Sequence, residues 1–149
     1  MAYTDLIVSV ELKSIRLAKL TYKRQLSGLS DIPGEVDIRV KTEANILSHE
    51  EEPPYKTIVG LNFTVRGLAT KRAQAGGRGL FTVSGVFEIL YEFPNLTSED
   101  FTDQDLNTFA KVNGQLNVWP YFRKTIADAV QSMGFPELLI PVRRFNTNA

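Results

Sequence analysis

The chain holds one histidine, His49, and no cysteine. Thiol nucleophiles, disulfides and zinc–thiolate sites therefore have no residues to draw on. A Ser-His-Asp triad or a histidine-rich metal site would have to recruit His49. That residue lies in Ser48-His49-Glu50-Glu51-Glu52-Pro53-Pro54, a charged, proline-ended run that reads as a solvated loop. Gly76-Gly77-Arg78-Gly79 suggests a phosphate cradle at first sight. A strand pattern follows it rather than a helix, and the lysine and serine of a P-loop are missing. The same residues suit a hairpin turn. Glu99, Asp100, Asp103 and Asp105 lack the mid-loop glycine and closing glutamate of a calcium loop, and acids at a helix start are already favoured by its dipole. Glu88 and Glu92 share a strand face, where i and i+4 lie roughly 13 Å apart, beyond either carboxylate spacing of glycoside hydrolysis. These residues point to no enzyme, no cofactor and no metal.

With 149 residues, 43% hydrophobic and 23% charged, the sequence suits a single domain over 1–149 with one sizeable core. We expect order from about residue 12 to residue 142 and short terminal tails. Seventeen basic and seventeen acidic side chains cancel, so no global field draws in nucleic acid or an acidic membrane. Near-zero charge also suits a chain that buries surface in an oligomer. The apolar run Leu6 to Val10, led by Asp5, is too short for a membrane span and wrongly flanked for a signal. A cytoplasmic protein with no membrane insertion is the expectation.

The elements are most legible in the middle. Val36, Ile38, Val40, Ala44 and Ile46 alternate with polar residues, as do Thr57, Val59, Leu61, Phe63 and Val65. Phe81, Val83, Phe87, Ile89, Tyr91 and Phe93 do the same opposite Thr82, Ser84, Glu88 and Glu92. Period two with one wet face predicts antiparallel strands. Ile15 to Lys23 fits a strand by its β-formers, although Leu12, Ile15, Lys19 and Tyr22 also fit a helix period. A turn-rich crossover, Leu26 to Gly34, links it to the next strand. After Phe93 the period becomes 3.6. Thr102-Asp103-Gln104-Asp105 opens a helix that Gly114 stops, Asn117 caps a second one, and Gly134 ends that. Strands first and helices last predict an α+β fold, a four-stranded antiparallel sheet with two C-terminal helices.

Two short helices cannot cover both faces of such a sheet, so apolar surface is left over. We expect Phe81, Val83 and Phe87, with Ile126 and Val130 from the helix stripe, to form an oligomer interface.

Asn117-Val118-Trp119-Pro120-Tyr121-Phe122-Arg123-Lys124, then Gly134-Phe135-Pro136-Glu137-Leu138 and Pro141-Val142, resembles the bacterial export chaperone family SecB. Glu35 to Val40 is similar to that family's P-E-V strand, and Gly76 to Phe81 to its glycine-led strand start. The resemblance implies a sheet with a crossover between its first two strands, assembled as a homotetrameric dimer of dimers. It also implies an ATP-independent holdase that binds unfolded polypeptides in apolar grooves and takes part in protein transport and translocation. By position the grooves would use Leu26, Leu29 and Ile32 on the crossover, Val36, Ile38 and Val40 on the next strand, and Trp119 and Phe122 on the second helix. Export-dedicated relatives dock the motor SecA through acidic residues near the glycine turn. Lys71, Arg72 and Arg78 stand there in this chain, which puts SecA as a partner in question and raises a dedicated client, such as an antitoxin. The alternative from another class is a small apolar-ligand carrier that encloses a lipid.

Overall fold

The computed structural model describes residues 2–25, 36–69, 78–94, 96 and 100–135. In chain order they form α1 (Ala2–Ser9), β1 (Glu11–Arg24), β2 (Val36–His49), β3 (Tyr55–Ala69), β4 (Arg78–Phe93) and α2 (Asp103–Ser132). The strands make one antiparallel sheet in the order β1-β4-β3-β2. The first two strands are thus the two edges, and the chain crosses the sheet between them. This is the expected α+β class.

The odd-numbered row of β3 and β4 faces the helix. Val59, Leu61, Phe63, Val65, Phe81, Val83, Phe87, Ile89, Tyr91 and Phe93 are all buried against Phe109, Val118, Phe122, Ile126 and Val130 of α2. The opposite face is mixed: Arg16 pairs with Glu88 at 2.8 Å and Arg39 with Asp37 at 2.8 Å, Ile58 and Leu90 are half-buried, and Leu47 over Gly60 is 53% exposed. Exposed ion pairs of this kind contribute little to stability.

The two expected C-terminal helices are one, of 30 residues. Gly114 does not stop it. A side chain there would meet Val59 Cγ1 at 3.3 Å, Ile89 Cδ1 at 3.6 Å and Ala44 Cβ at 3.8 Å, so glycine lets the helix backbone lie directly on the sheet. Its propensity cost of about 1 kcal/mol is small beside the burial of Phe109 and Ala110 before it and Val118 and Trp119 after it. Asn117 caps nothing. Its Oδ1 accepts a 2.7 Å hydrogen bond from the buried Tyr91 hydroxyl, which would otherwise be costly to bury. Pro120 is exposed inside the helix, where the carbonyl it leaves unpaired can reach water.

Both ends of α2 are those expected. At the start, Thr102 Oγ1 accepts from the Asp105 amide at 3.1 Å and the Thr102 amide donates to Asp105 Oδ2 at 2.9 Å, a reciprocal capping box. At the end, Gly134 takes φ 87°, its amide donates to the Gln131 carbonyl, and Phe135 N–H donates to the Val130 carbonyl. That is a Schellman motif, and only glycine adopts its left-handed residue without strain.

Candidate functional site

The middle of α2 reaches β2 through a polar stitch and an aromatic column. Thr42 Oγ1 donates to Gln115 Oε1 at 3.1 Å. Opposite Thr42 in the ladder stands Phe63, whose ring centroid is 5.2 Å from that of Phe122 and 5.6 Å from that of Phe87. Trp119 lies on Phe122 at 4.8 Å. Ile38 and Val40 are next along the same face of β2, because Val40 pairs with Val65 and Ile38 with Gly67. Of the residues expected in a binding groove, Ile38 and Val40 thus share the helix-side face of β2, and Trp119 and Phe122 pack on each other along α2, with Phe122 on Phe63 of β3. Val40 is 38% exposed and Ile38 half-buried, while Trp119 and Phe122 are buried. Val36 opens β2, and only its backbone is described. Leu26, Leu29 and Ile32 lie outside the described residues.

The expected oligomer interface is corrected. Phe81, Val83 and Phe87 sit on β4, an inner strand facing α2, and Ile126 and Val130 face them from the helix. None is more than 3% exposed within one protomer, so these five have no surface to give a second chain. Two short helices would have left them uncovered. One helix about 45 Å long, at 1.5 Å per residue, does not.

Leftover apolar surface exists elsewhere. Leu12, Leu17 and Tyr22 of β1 are each more than 40% exposed, as are Leu116 and Tyr121 on α2 and Ile7 and Val8 on α1. β1 is the edge beyond the helix. Its helix-side row is Leu12, Ile15, Leu17, Leu20 and Tyr22, which pair with Tyr91, Ile89, Phe87, Gly85 and Val83. Register shifts between Leu12 and Ser14 and between Leu17 and Lys19 each insert a residue and keep the apolar side chains on one face. Gly85 belongs to this arrangement, since any side chain there would strike the Lys19 carbonyl.

Among the remaining candidates, Glu88, Glu92, Asp103 and Asp105 have structural roles. Glu88 and Glu92 are held on the outer face by Arg16 and Lys13. Asp103 and Asp105 occupy the first turn of α2. Arg78 starts β4 opposite Ala69, and Lys71 and Arg72 lie outside the described residues. No described helix is long and apolar enough to cross a membrane.

His49 is no solvated loop residue. It ends β2, stacks on Tyr55 at 5.7 Å, meets the edge of Phe101 at 5.9 Å, and shares a 2.7 Å hydrogen bond with buried Thr57 Oγ1. Burial lowers its pKa, against the pull of Asp103, Glu51 and Glu50. The unfolded chain thus takes up this proton first as pH falls. His49 supports the fold fully above about pH 6.5, and that support is lost as pH drops through the lower folded-state value. As the chain's one imidazole, it can be followed alone by proton NMR. We expect a midpoint below 6.5 and a weaker pH dependence of stability in His49→Gln; a midpoint above 6.5 would contradict the packing described.

No family model and no curated protein sequence matches the chain. Among solved structures it is similar to the Rv1957 SecB-like chaperone of Mycobacterium tuberculosis, in complex with a ChAD peptide from the Rv1956 HigA1 antitoxin. That match has a TM-score of 0.78 and 15% identity over 98% of this chain and 99% of that one. A protein of unknown function from Streptococcus agalactiae aligns with a TM-score of 0.42 and 9% identity over 89% of this chain and 97% of that one, and carries no argument. The first match shows that the chain has a SecB-like fold.

Proposed function

We propose that the protein is an ATP-independent holdase that binds non-native polypeptides along open apolar surface, serving either protein transport or one dedicated client. The observation that carries this reading is the pairing of the fold with its exposed apolar residues: Val40 on β2 and Leu12, Leu17 and Tyr22 on β1. The similar Mycobacterium tuberculosis chaperone is seen with an antitoxin peptide, which favours a polypeptide occupant and makes an antitoxin a reasonable client. Leu26, Leu29 and Ile32 extend the surface in this reading, since the chain runs from them into β2. A lipid carrier needs an enclosed cavity, whereas Val40, Leu12, Leu17 and Tyr22 face solvent. We assign no enzymatic step and no cofactor, and place the work in the cytoplasm. SecA remains a weaker partner, because Lys71, Arg72 and Arg78 would set like charges against an electropositive dock.

A homotetramer, built as a dimer of dimers, is part of the proposal. Its support is the exposed row of β1 at an open sheet edge, the kind of surface that marks association. Light scattering of an aggregating client tests the function, with ATP absent. Wild type should suppress the signal, and Leu26, Leu29, Ile32 and Val40 replaced together by serine should suppress it several-fold less at equal concentration. Native mass spectrometry of the same samples should read four chains. Unchanged suppression by the variant, or a strictly monomeric mass, would count against the reading.

A further inference from the structure

We propose that the outer face of the sheet, turned away from α2, docks an acidic polypeptide segment. The surface lies opposite the apolar rows assigned to clients and is independent of them. Its basis is the way the ladders line up charge. Lys23 stands opposite Thr82, Thr82 opposite Arg66, and Arg66 opposite Arg39, so one row across four strands carries three cations. The adjoining row runs Thr21, Ser84, Thr64, Lys41, and the next begins with Lys19 opposite Val86. All five cations are exposed. The carboxylates beside them are Asp37 and Glu43, at the β2 edge. Among the described residues, Asp37 pairs with Arg39 at 2.8 Å, and the other four cations meet no carboxylate. Like charges set directly opposite on a sheet cost stability, as Arg39 and Arg66 are, and a bound carboxylate offsets that cost. In a chain of zero net charge this excess is local.

The surroundings of the cations favour a peptide over a nucleic acid. Between them stand Thr21, Thr64, Thr82 and Ser84, whose hydroxyls donate to carboxylates. No aromatic ring occupies these rows, so a single strand finds no platform for its bases. A flat sheet face also puts no helix or ribbon into the groove of a duplex. Further along the same face the character becomes apolar. Leu47 lies over Gly60 and is 53% exposed, and Ile58 stands opposite Leu90, both half-buried. Such a patch suits the side chains of a polypeptide and not a phosphate backbone. From Arg66 to Ile58 along β3 is roughly 26 Å at 3.3 Å per residue. The occupant is therefore an acidic stretch followed, within about eight residues, by apolar ones.

The probe is a fluorescein-labelled peptide of about twelve residues, glutamate-rich at one end with leucine and valine at the other, titrated against the full chain by anisotropy. Binding should be seen at low ionic strength and should weaken about tenfold by about 0.15 M salt. The test variant is Lys41→Glu with Arg66→Glu, which should bind about tenfold more weakly than wild type. It should fold at least as well, because Arg66→Glu places a carboxylate opposite Arg39. Lys56→Glu, exposed near the other end of the face, should bind as wild type does. Suppression of client aggregation should be unchanged in the double variant, so this proposal and the holdase reading fail separately. Equal binding by the double variant overturns the proposal, as does no binding by wild type at low salt. Tighter binding of a single-stranded oligonucleotide than of the peptide overturns it in favour of nucleic acid. Salt-dependent self-association that is lost in Glu50→Gln, Glu51→Gln, Glu52→Gln overturns it in favour of a second copy of the chain.

Discussion

Replacing Phe122 by alanine is expected to lower the free energy of unfolding by about 3–5 kcal/mol, a large share of the roughly 5–15 kcal/mol that holds a domain folded. Phe122 is fully buried, and its ring meets Phe63 at 5.2 Å and Trp119 at 4.8 Å. It is the contact through which the helix grips β3. Removing the ring forfeits its transfer free energy and leaves a cavity that a rigid sheet cannot close. Its neighbour Tyr121 is 55% exposed, and alanine there should change stability by about 0.5 kcal/mol or less. Urea unfolding followed by the fluorescence of Trp119, the chain's one tryptophan, measures both. Equal effects at the two positions, or a Phe122→Ala loss under about 1 kcal/mol, would mean that α2 does not pack as described.

The sheet was legible where strands are regular. In β2, β3 and β4 each second residue meets the helix or solvent, so the period survives in the sequence. β1 was ambiguous for a physical reason. Its bulges space Leu12, Ile15, Leu17, Leu20 and Tyr22 by three, two, three and two residues, between the periods of a strand and a helix. The ends of α2 were readable because Thr102, Asp105 and Gly134 act locally. Its continuity was not. Gly114 and Asn117 look like a stop and a cap, and only the sheet beneath shows that one admits close approach and the other receives the Tyr91 hydroxyl. That break also misplaced the interface. Two short helices leave Phe81, Val83 and Phe87 uncovered, whereas the single helix buries them and shifts the apolar excess to β1. His49 read as a loop residue because its partners, Tyr55, Thr57 and Phe101, come from other segments. The contact of α2 with β2, seen in the Thr42–Gln115 hydrogen bond, was not legible in the sequence, since the two elements are far apart along the chain.

The central claim is that this chain distinguishes an unfolded polypeptide from a folded one, and the discrimination should be large. Open apolar rows can bind only what exposes apolar residues in extended form, and a native client buries these in its own core. The direct measurement is fluorescence anisotropy of one labelled client in two forms, native and a destabilised variant that stays unfolded in the same buffer, titrated with the protein without ATP. The account predicts that the unfolded form binds at least about a hundredfold more tightly, or about 2.8 kcal/mol. Equal affinity for the two forms, or binding of neither, would contradict it.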